Sequence, residues 1–187
     1  MGDPAKRSRI HLTGASGCGV TTIGRALATR LALPVHDTDD YYWLPTDIPY
    51  TQKRSIPDRL RLIHEMFLAR PGWVLSGSLD GWGDPLVPYF DLVVFVSAPT
   101  ELRLARLRER EARRFGDANA QGGWRHEEAE AFFEWASHYE DNSREGRNRA
   151  RHEAWLAALP CPVLRIDGSR RIEKSVDAIV RYWRARP

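Results

Sequence analysis

Nine small residues near the start of the chain have the spacing of a loop that can bind phosphate. The segment reads Gly-Ala-Ser-Gly-Cys-Gly-Val-Thr-Thr, a G-x-x-x-x-G-x-T pattern that follows a short apolar run and precedes a helical one. Because glycine has no Cβ atom, several backbone N–H groups can converge on one phosphate, and the positive end of the next helix adds to the attraction. The residues predicted to bind phosphate are Gly14, Ala15, Ser16, Gly17, Cys18, Gly19, Val20, Thr21 and Thr22. The alternative is a glycine-rich turn between a strand and a helix, without a ligand.

Two of these positions determine what chemistry the loop could support. The hydroxyl of Thr21 is predicted to bind Mg²⁺, the usual companion of nucleotide phosphates. Val20 departs from the pattern, since the usual residue there is a lysine that reaches the β- and γ-phosphates. We expect phosphate binding to survive this change, and catalysis to depend on another cation, for which Arg106, Arg110 and Lys53 are the candidates.

An acidic cluster, Asp37-Thr38-Asp39-Asp40, follows the second apolar run of the chain. If that run is a strand beside the phosphate loop, its carboxylates lie in the same crevice. Asp37 is then a candidate ligand of Mg²⁺, and Asp37 or Asp39 could orient or deprotonate an attacking hydroxyl. The alternative is an ordinary acidic turn in which Asp37 or Asp39 caps a helix.

A row of arginines lies on one face of a helix predicted over Thr100 to Phe115. Intervals of three, four and three residues separate Arg103, Arg106, Arg110 and Arg113. Guanidinium groups can fork onto phosphate oxygens, and the two in the middle of the face, Arg106 and Arg110, are the predicted catalytic members. A solvated helix face with paired glutamates explains the same spacing.

The order of predicted elements defines the fold class. Five short apolar runs that read as strands alternate with helical patterns. Their bounds are Arg9 to Thr13, Pro34 to Asp37, Trp73 to Leu75, Leu92 to Val96 and Val163 to Ile166. This alternation predicts an α/β fold, a three-layer αβα sandwich with a parallel five-stranded sheet, in a single domain over residues 1–187. A glycine-bearing break at Gly116 to Gly123 suggests a helical lid over residues 114–145.

Composition narrows the function classes. The chain has 187 residues, 42% of them hydrophobic, and a formal charge of +3 whose surplus lies after residue 100, with 18 Lys/Arg against 15 Asp/Glu. The acids are interleaved with the arginines, which argues against a nucleic-acid binder. No apolar run approaches the roughly 20 residues that a membrane helix needs. The two cysteines lack disulfide or zinc spacing, so we expect a cytoplasmic protein with free thiols.

The sequence resembles the P-loop small-molecule kinases, the group that contains adenylate, shikimate and gluconate kinases. The resemblance is carried by the loop over Gly14 to Thr22, by His36 to Asp40, by Ser76-Gly77 and by the arginine helix. It implies that ATP and Mg²⁺ bind, and that the γ-phosphoryl group passes to a small-molecule acceptor, such as a nucleoside or nucleotide. The alternative is a nucleotide-binding or sensor protein that lost catalysis together with the lysine.

Two further expectations come from this resemblance. A D-x-D contacts metal and substrate in shikimate kinase, which implicates Asp37 and Asp39 here. Many members carry an acid-glycine pair after the third strand, which reads Ser76-Gly77 in this chain. Asp37, Asp39 or Asp80 would then supply the negative charge near Mg²⁺.

Overall fold

A five-stranded parallel sheet forms the centre of the molecule. The computed structural model describes residues 7–141, 143 and 145–186. The strands are β1 (Ser8–Gly14), β2 (Val35–Asp37), β3 (Gly72–Ser76), β4 (Leu92–Ser97) and β5 (Val163–Asp167). Their order is β2-β3-β1-β4-β5, and every neighbouring pair is parallel. This confirms the predicted fold class.

Helices connect the strands. They are α1 (Val20–Leu31), α2 (Thr38–Tyr42), α3 (Ile56–Ile63), α4 (Thr100–Phe115), α5 (His126–Ser137), α6 (Arg149–Ala157) and α7 (Ile172–Arg184). Short segments of other helix types lie at His64–Leu68, Asp84–Tyr89 and Gly116–Asn119. In the described part of the chain, no helix is both long enough and apolar enough to cross a membrane.

The core lies on both faces of the sheet. On one face, buried side chains of β1 and β4 pack against α1 and α7. On the other face, β3 and β4 pack against α3 and α6 through a cluster rich in aromatic residues. Because both faces are covered, β4 is apolar along almost its whole length, as the continuous run in the sequence predicted.

The region predicted as a lid lies against α4. A small cluster that contains Leu107, Ala129 and Phe133 joins α4 to α5. The guanidinium carbon of Arg125 lies 3.5 Å from the centre of the Phe115 ring, at the end of α4. Within residues 114–145, Asn142 and Arg144 lie outside the described residues. A lid function for this region stays a prediction.

Candidate phosphate-binding site

The glycine-rich loop joins the end of β1 to the start of α1. Gly17 and Gly19 have φ angles of +81° and +97°, a conformation that glycine adopts without strain. At Gly17 there is also no space, since a Cβ atom would lie 2.5 Å from the carbonyl oxygen of Arg103. The first turn of α1 has neither a side-chain cap nor an acidic residue, so its N–H groups and positive dipole end remain available to an anion.

Two arginines of α4 hydrogen-bond the backbone of this loop. Arg103 is fully buried and donates from Nη1 to the carbonyl of Ser16 at 3.3 Å and to the carbonyl of Ala136 at 3.3 Å. Arg106 donates from Nη1 to the carbonyl of Gly168 at 3.0 Å and reaches the carbonyl of Gly17 at 3.5 Å. Both side chains therefore hold the backbone of the loop, and Arg106 also ties it to the turn after β5.

Thr21 and Asp37 meet beside the loop. The Thr21 hydroxyl donates to Oδ2 of Asp37 at 3.1 Å, and Oδ1 of Asp37 accepts the backbone N–H of Asp39 at 3.1 Å as the N-cap of α2. The capping alternative and the placement of Asp37 beside Thr21 thus hold together, because each carboxylate oxygen has its own partner. A hydroxyl and a carboxylate are hard oxygen donors of the kind that Mg²⁺ takes.

This donor set leaves room for the nucleotide itself to coordinate a metal. The described residues contain no group of three or more His, Cys, Asp or Glu side chains that could hold a metal ion without other ligands. Mg²⁺ is commonly bound by one or two protein oxygens together with phosphate and water oxygens. Thr21 and Asp37 fit that mode of binding.

Both negatively and positively charged side chains act on the carboxyl group of Asp39. Desolvation in the cleft raises the pKa of Asp39, and the charge of Asp37 raises it further. The charges of Arg147, Arg110 and Arg114 act in the opposite direction. Asp39 is therefore a carboxyl close to a cationic group of side chains, which is a suitable setting for a proton acceptor.

Arg147 is a functional candidate that the sequence analysis missed. Its Nη2 lies 2.5 Å from the hydroxyl of Ser16, inside the predicted phosphate loop, and its guanidinium carbon lies 5.3 Å from the centre of the Trp135 ring. Arg147 stands 131 positions from Ser16 along the chain. No periodicity or motif links two residues so far apart, so only the folded chain identifies it.

The other predicted cations have contacts outside the loop. Arg110 donates from Nε and Nη2 to a carboxylate oxygen of Glu111, at 3.0 and 2.9 Å. Lys53 is exposed, and its backbone pairs with that of Trp43 in an isolated antiparallel bridge. Catalytic roles for Arg106 and Arg110 stay predictions.

The Ser76-Gly77 pair packs tightly between neighbouring elements. Ser76 is 1% exposed, and a Cβ atom on Gly24 of α1 would lie 1.9 Å from its hydroxyl oxygen. Gly77 has a φ of +124°, and a Cβ atom there would lie 1.9 Å from the hydroxyl of Thr38. The hydroxyl of Ser76 thus faces helix α1. Asp80, in the following loop, binds Nε of Arg151 at 2.6 Å.

An arginine lies between aromatic rings beside this loop. The guanidinium carbon of Arg59 is 3.7 Å from the centre of the Tyr42 ring and 5.4 Å from that of Trp82. Trp82 is 6% exposed, so the structure places it in the core. Tyr41 is also buried and hydrogen-bonds Nδ1 of His36 at 2.9 Å. The contacts observed for these aromatic side chains are with other side chains of the protein.

Solved kinase structures share this fold. A protein of Chloroflexus aurantiacus J-10-fl to which kinase activity is assigned provisionally aligns over 98% of this chain and 99% of its own, with a TM-score of 0.60 and 17% identity. Shikimate kinase of Aquifex aeolicus VF5 aligns over 94% of this chain and 96% of its own, with a TM-score of 0.54 and 16% identity. A sugar kinase of Janibacter sp. HTCC2649 has the same TM-score and identity over 97% and 96%. The fold is that of the P-loop kinases.

A sequence relative places the chain in a family. The uncharacterised protein YqaC of Bacillus subtilis (strain 168) is 45% identical over 176 residues, which cover 94% of this chain and 97% of YqaC. The chain belongs to the same family as YqaC. No family model matches the sequence.

Proposed function

We propose that the protein transfers the γ-phosphoryl group of ATP to a small-molecule acceptor, such as a nucleoside or nucleotide. The observation that carries this proposal is the contact between Thr21 and Asp37 directly beside the open N-terminus of α1. It joins a phosphate-binding loop to a pair of oxygen donors suited to Mg²⁺. We propose that the protein acts in the cytoplasm.

Each part of the site has a role in this proposal. Backbone N–H groups of the loop would bind the phosphates, while Thr21 and Asp37 would hold Mg²⁺, which neutralises charge on the phosphate oxygens. As the acceptor oxygen bonds to the γ-phosphorus, the bond from that phosphorus to the β,γ-bridging oxygen breaks and leaves ADP. Asp39 would accept the proton of the acceptor hydroxyl. Arg106 would position the loop, and Arg110 would add positive charge near Asp39.

A second candidate is a nucleotide-binding sensor without phosphoryl transfer. It is favoured by Val20, whose side chain packs in the core between the sheet and α1 and so provides no cation at the lysine position. A sensor would bind Mg-ATP tightly without consuming it. A kinase would consume ATP only when an acceptor is present.

The test combines calorimetric titration with turnover measurements. Mg-ATP and Mg-ADP are titrated into the protein, and ATP loss is then followed with panels of sugars, nucleosides and nucleotides. We expect Asp37→Asn to raise the Mg²⁺ concentration needed for half-maximal turnover, and Asp39→Asn to lower turnover by on the order of 10²-fold or more. Asp177→Asn, an exposed aspartate of α7, is the control.

The results separate the two candidates. Acceptor-dependent loss of ATP supports the kinase, while binding without loss across the panels supports the sensor. No binding of either nucleotide would refute both. If Asp37→Asn lowered the melting temperature as much as it lowered activity, the carboxylate would be a structural cap only.

A further inference from the structure

The loop carries no cation of its own, although the ligand proposed for it is an anion. Where the common pattern has a lysine, Val20 is 9% exposed and belongs to the apolar core. In related sites that lysine reaches the β- and γ-phosphates. Any positive side chain that meets those phosphates must therefore come from another element of the fold.

Three arginines near the loop already have other partners. Arg103 donates to the carbonyls of Ser16 and Ala136 and to the hydroxyl of Thr100. Arg106 donates to backbone carbonyls, and Arg110 binds Glu111 with two nitrogens. To reach a phosphate, each of these guanidinium groups would have to give up hydrogen bonds that it makes in the fold.

Arg147 differs from these arginines in its surroundings. Its contact in the loop is a side-chain hydroxyl, that of Ser16, which can rotate away when an anion arrives. Among the described residues, no carboxylate lies within the 4.0 Å of an ion pair with Arg147. Partial burial lowers the pKa of Arg147, because the charge has lost part of its hydration without gaining an adjacent anion. The carboxylates of Asp39 and Asp80 are among the groups that act electrostatically on it.

The segment that carries Arg147 is held in place. The backbone N–H of Arg149 donates to the carbonyl of Tyr139 at 2.8 Å, and the Tyr139 hydroxyl hydrogen-bonds Nδ1 of His152 at 2.7 Å. Asn148 caps α6 by accepting the backbone N–H of Arg151 at 2.9 Å. These contacts hold the chain directly after Arg147, which lowers the entropy cost of binding an anion at the loop.

We propose that Arg147 supplies to the β- and γ-phosphates the positive charge that the absent lysine would provide. This inference rests on the proposed function, since it requires a nucleotide in the loop. It assigns to one residue the role for which the sequence suggested Arg106, Arg110 or Lys53. A guanidinium group suits it, because its planar fork can bridge two phosphate oxygens.

The test compares Mg-ATP with Mg-ADP by calorimetric titration. A charge placed near the β- and γ-phosphates stabilises ATP more than ADP. We expect Arg147→Ala to weaken Mg-ATP binding by about tenfold to a hundredfold, and Mg-ADP binding by clearly less. Arg147→Lys keeps the charge and should retain part of the preference for ATP. Arg30→Ala, an exposed arginine at the far end of α1, should bind both nucleotides as the parent does.

A rescue variant tests the exchange of lysine for arginine directly. Val20→Lys places the usual charge back in the loop, so the double variant Val20→Lys/Arg147→Ala should recover the affinity for Mg-ATP. Thermal melts of each variant separate lost binding from lost folding. Should Val20→Lys itself unfold, the comparison of Arg147→Lys with Arg147→Ala decides.

The failures of the two proposals differ. A parent that binds Mg-ATP more tightly than Mg-ADP, together with an Arg147→Ala variant that does the same, would overturn the role of Arg147 alone. An equal loss of affinity for Mg-ATP and Mg-ADP in that variant would also overturn it. A folded double variant whose affinity for Mg-ATP stays low would do the same. A parent that binds neither nucleotide would overturn the proposed function, and this inference with it.

Discussion

Three arginines contact the glycine-rich loop, and they differ in what their nitrogens bind. Arg103 and Arg106, which we call the base of the loop, donate to backbone carbonyls, so their charge holds the loop in shape. At the Ser16 side chain, which we call the mouth of the loop, Arg147 donates to one hydroxyl and lies over the ring of Trp135. The same residue type can therefore hold the backbone of a loop or contact only one of its side chains. The partners decide which role a given arginine has.

The difference has a physical origin in hydrogen-bond satisfaction. A buried carbonyl that loses its donor costs free energy, so an arginine bound to carbonyls is expensive to remove. An arginine that is partly dehydrated without a bound anion adds little to the stability of the unliganded fold, and its charge becomes favourable when an anion binds. Substitutions of Arg103 or Arg106, at the base of the loop, should therefore affect the stability of the fold most. Substitutions of Arg147, at its mouth, should affect nucleotide binding most.

The largest expected effect on stability is at Arg103. Arg103→Met keeps much of the buried volume but leaves three acceptors without their donor, and we expect it to lower the free energy of unfolding by about 3 kcal/mol or more. In a chain of this size, that loss corresponds to roughly 6–12 °C in melting temperature. Thermal and urea unfolding measure it. Arg147→Met should leave the melting temperature unchanged or raise it. Similar losses for the two variants would remove the distinction between the base and the mouth of the loop.

The glycines of the loop give a smaller and more local test. Gly17 and Gly19 share a positive φ, yet a Cβ atom would meet a carbonyl at 2.5 Å at Gly17 and nothing closer than 3.8 Å at Gly19. Gly19→Ala should therefore cost only the backbone strain, about 1–2 kcal/mol, while Gly17→Ala should cost clearly more. Gly122→Ala, with a φ of +83° and open space around it, is the control for strain away from the loop.

Nucleotide binding sharpens that glycine series. Gly17→Ala pushes on Arg103 and hence on the support of the loop, so we expect it to lower Mg-ATP affinity more than Gly19→Ala does. Gly122→Ala should not change the affinity. Equal effects of all three substitutions would mean that the loop tolerates a shift of its base, contrary to the role given to Arg103.

The sequence predicted most of the sheet and helices for identifiable reasons. The runs at Leu92 to Val96 and Trp73 to Leu75 are continuous apolar segments because both faces of these interior strands are covered. The helix at Thr100 to Phe115 was predicted with the bounds that it has, since Pro99 and Gly116 punctuate it. Helix α2 was expected only within the alternative in which Asp37 or Asp39 caps a helix, because Asp37, Asp39 and Asp40 favour a turn as much as a first helical turn.

The sequence indicated contacts of the candidate site only where a motif or a strand end marked the residues. The spacing of the loop glycines and the position of Asp37 after a strand pointed to residues that do meet in space. The support from Arg103, the packing of Ser76 against Gly24 and the position of Arg147 depend on contacts between distant segments. Spacing along one helix could say that Arg103 and Arg106 share a face, but not that carbonyls would occupy that face.

The smallest expected effect concerns pH and the segment that holds Arg147. His152 is buried between Tyr139 and Phe95, and burial lowers its pKa to about 3 from an ordinary value of 6.5. Between these pH values the unfolded chain binds a proton that the folded chain does not, so stability falls as pH decreases below 6.5. For this residue the loss between pH 6.5 and about 5.5 is about 1 kcal/mol.

His152→Gln should reduce that acid sensitivity, because glutamine can accept from Tyr139 but does not take up a proton. Part of the slope should remain, since burial also lowers the pKa of His11 to about 4. Unfolding free energies measured across this pH range provide the comparison. His138 is a control of opposite sign: hydrogen bonds to Glu134 and Asp141 raise its pKa, so it stabilises the fold at pH values below 6.5 and loses that contribution as pH rises. His138→Gln should therefore leave the protein more acid-sensitive. If His152→Gln and the parent had the same pH slope, the buried Tyr139–His152 pair would not be what makes this segment sensitive to acid.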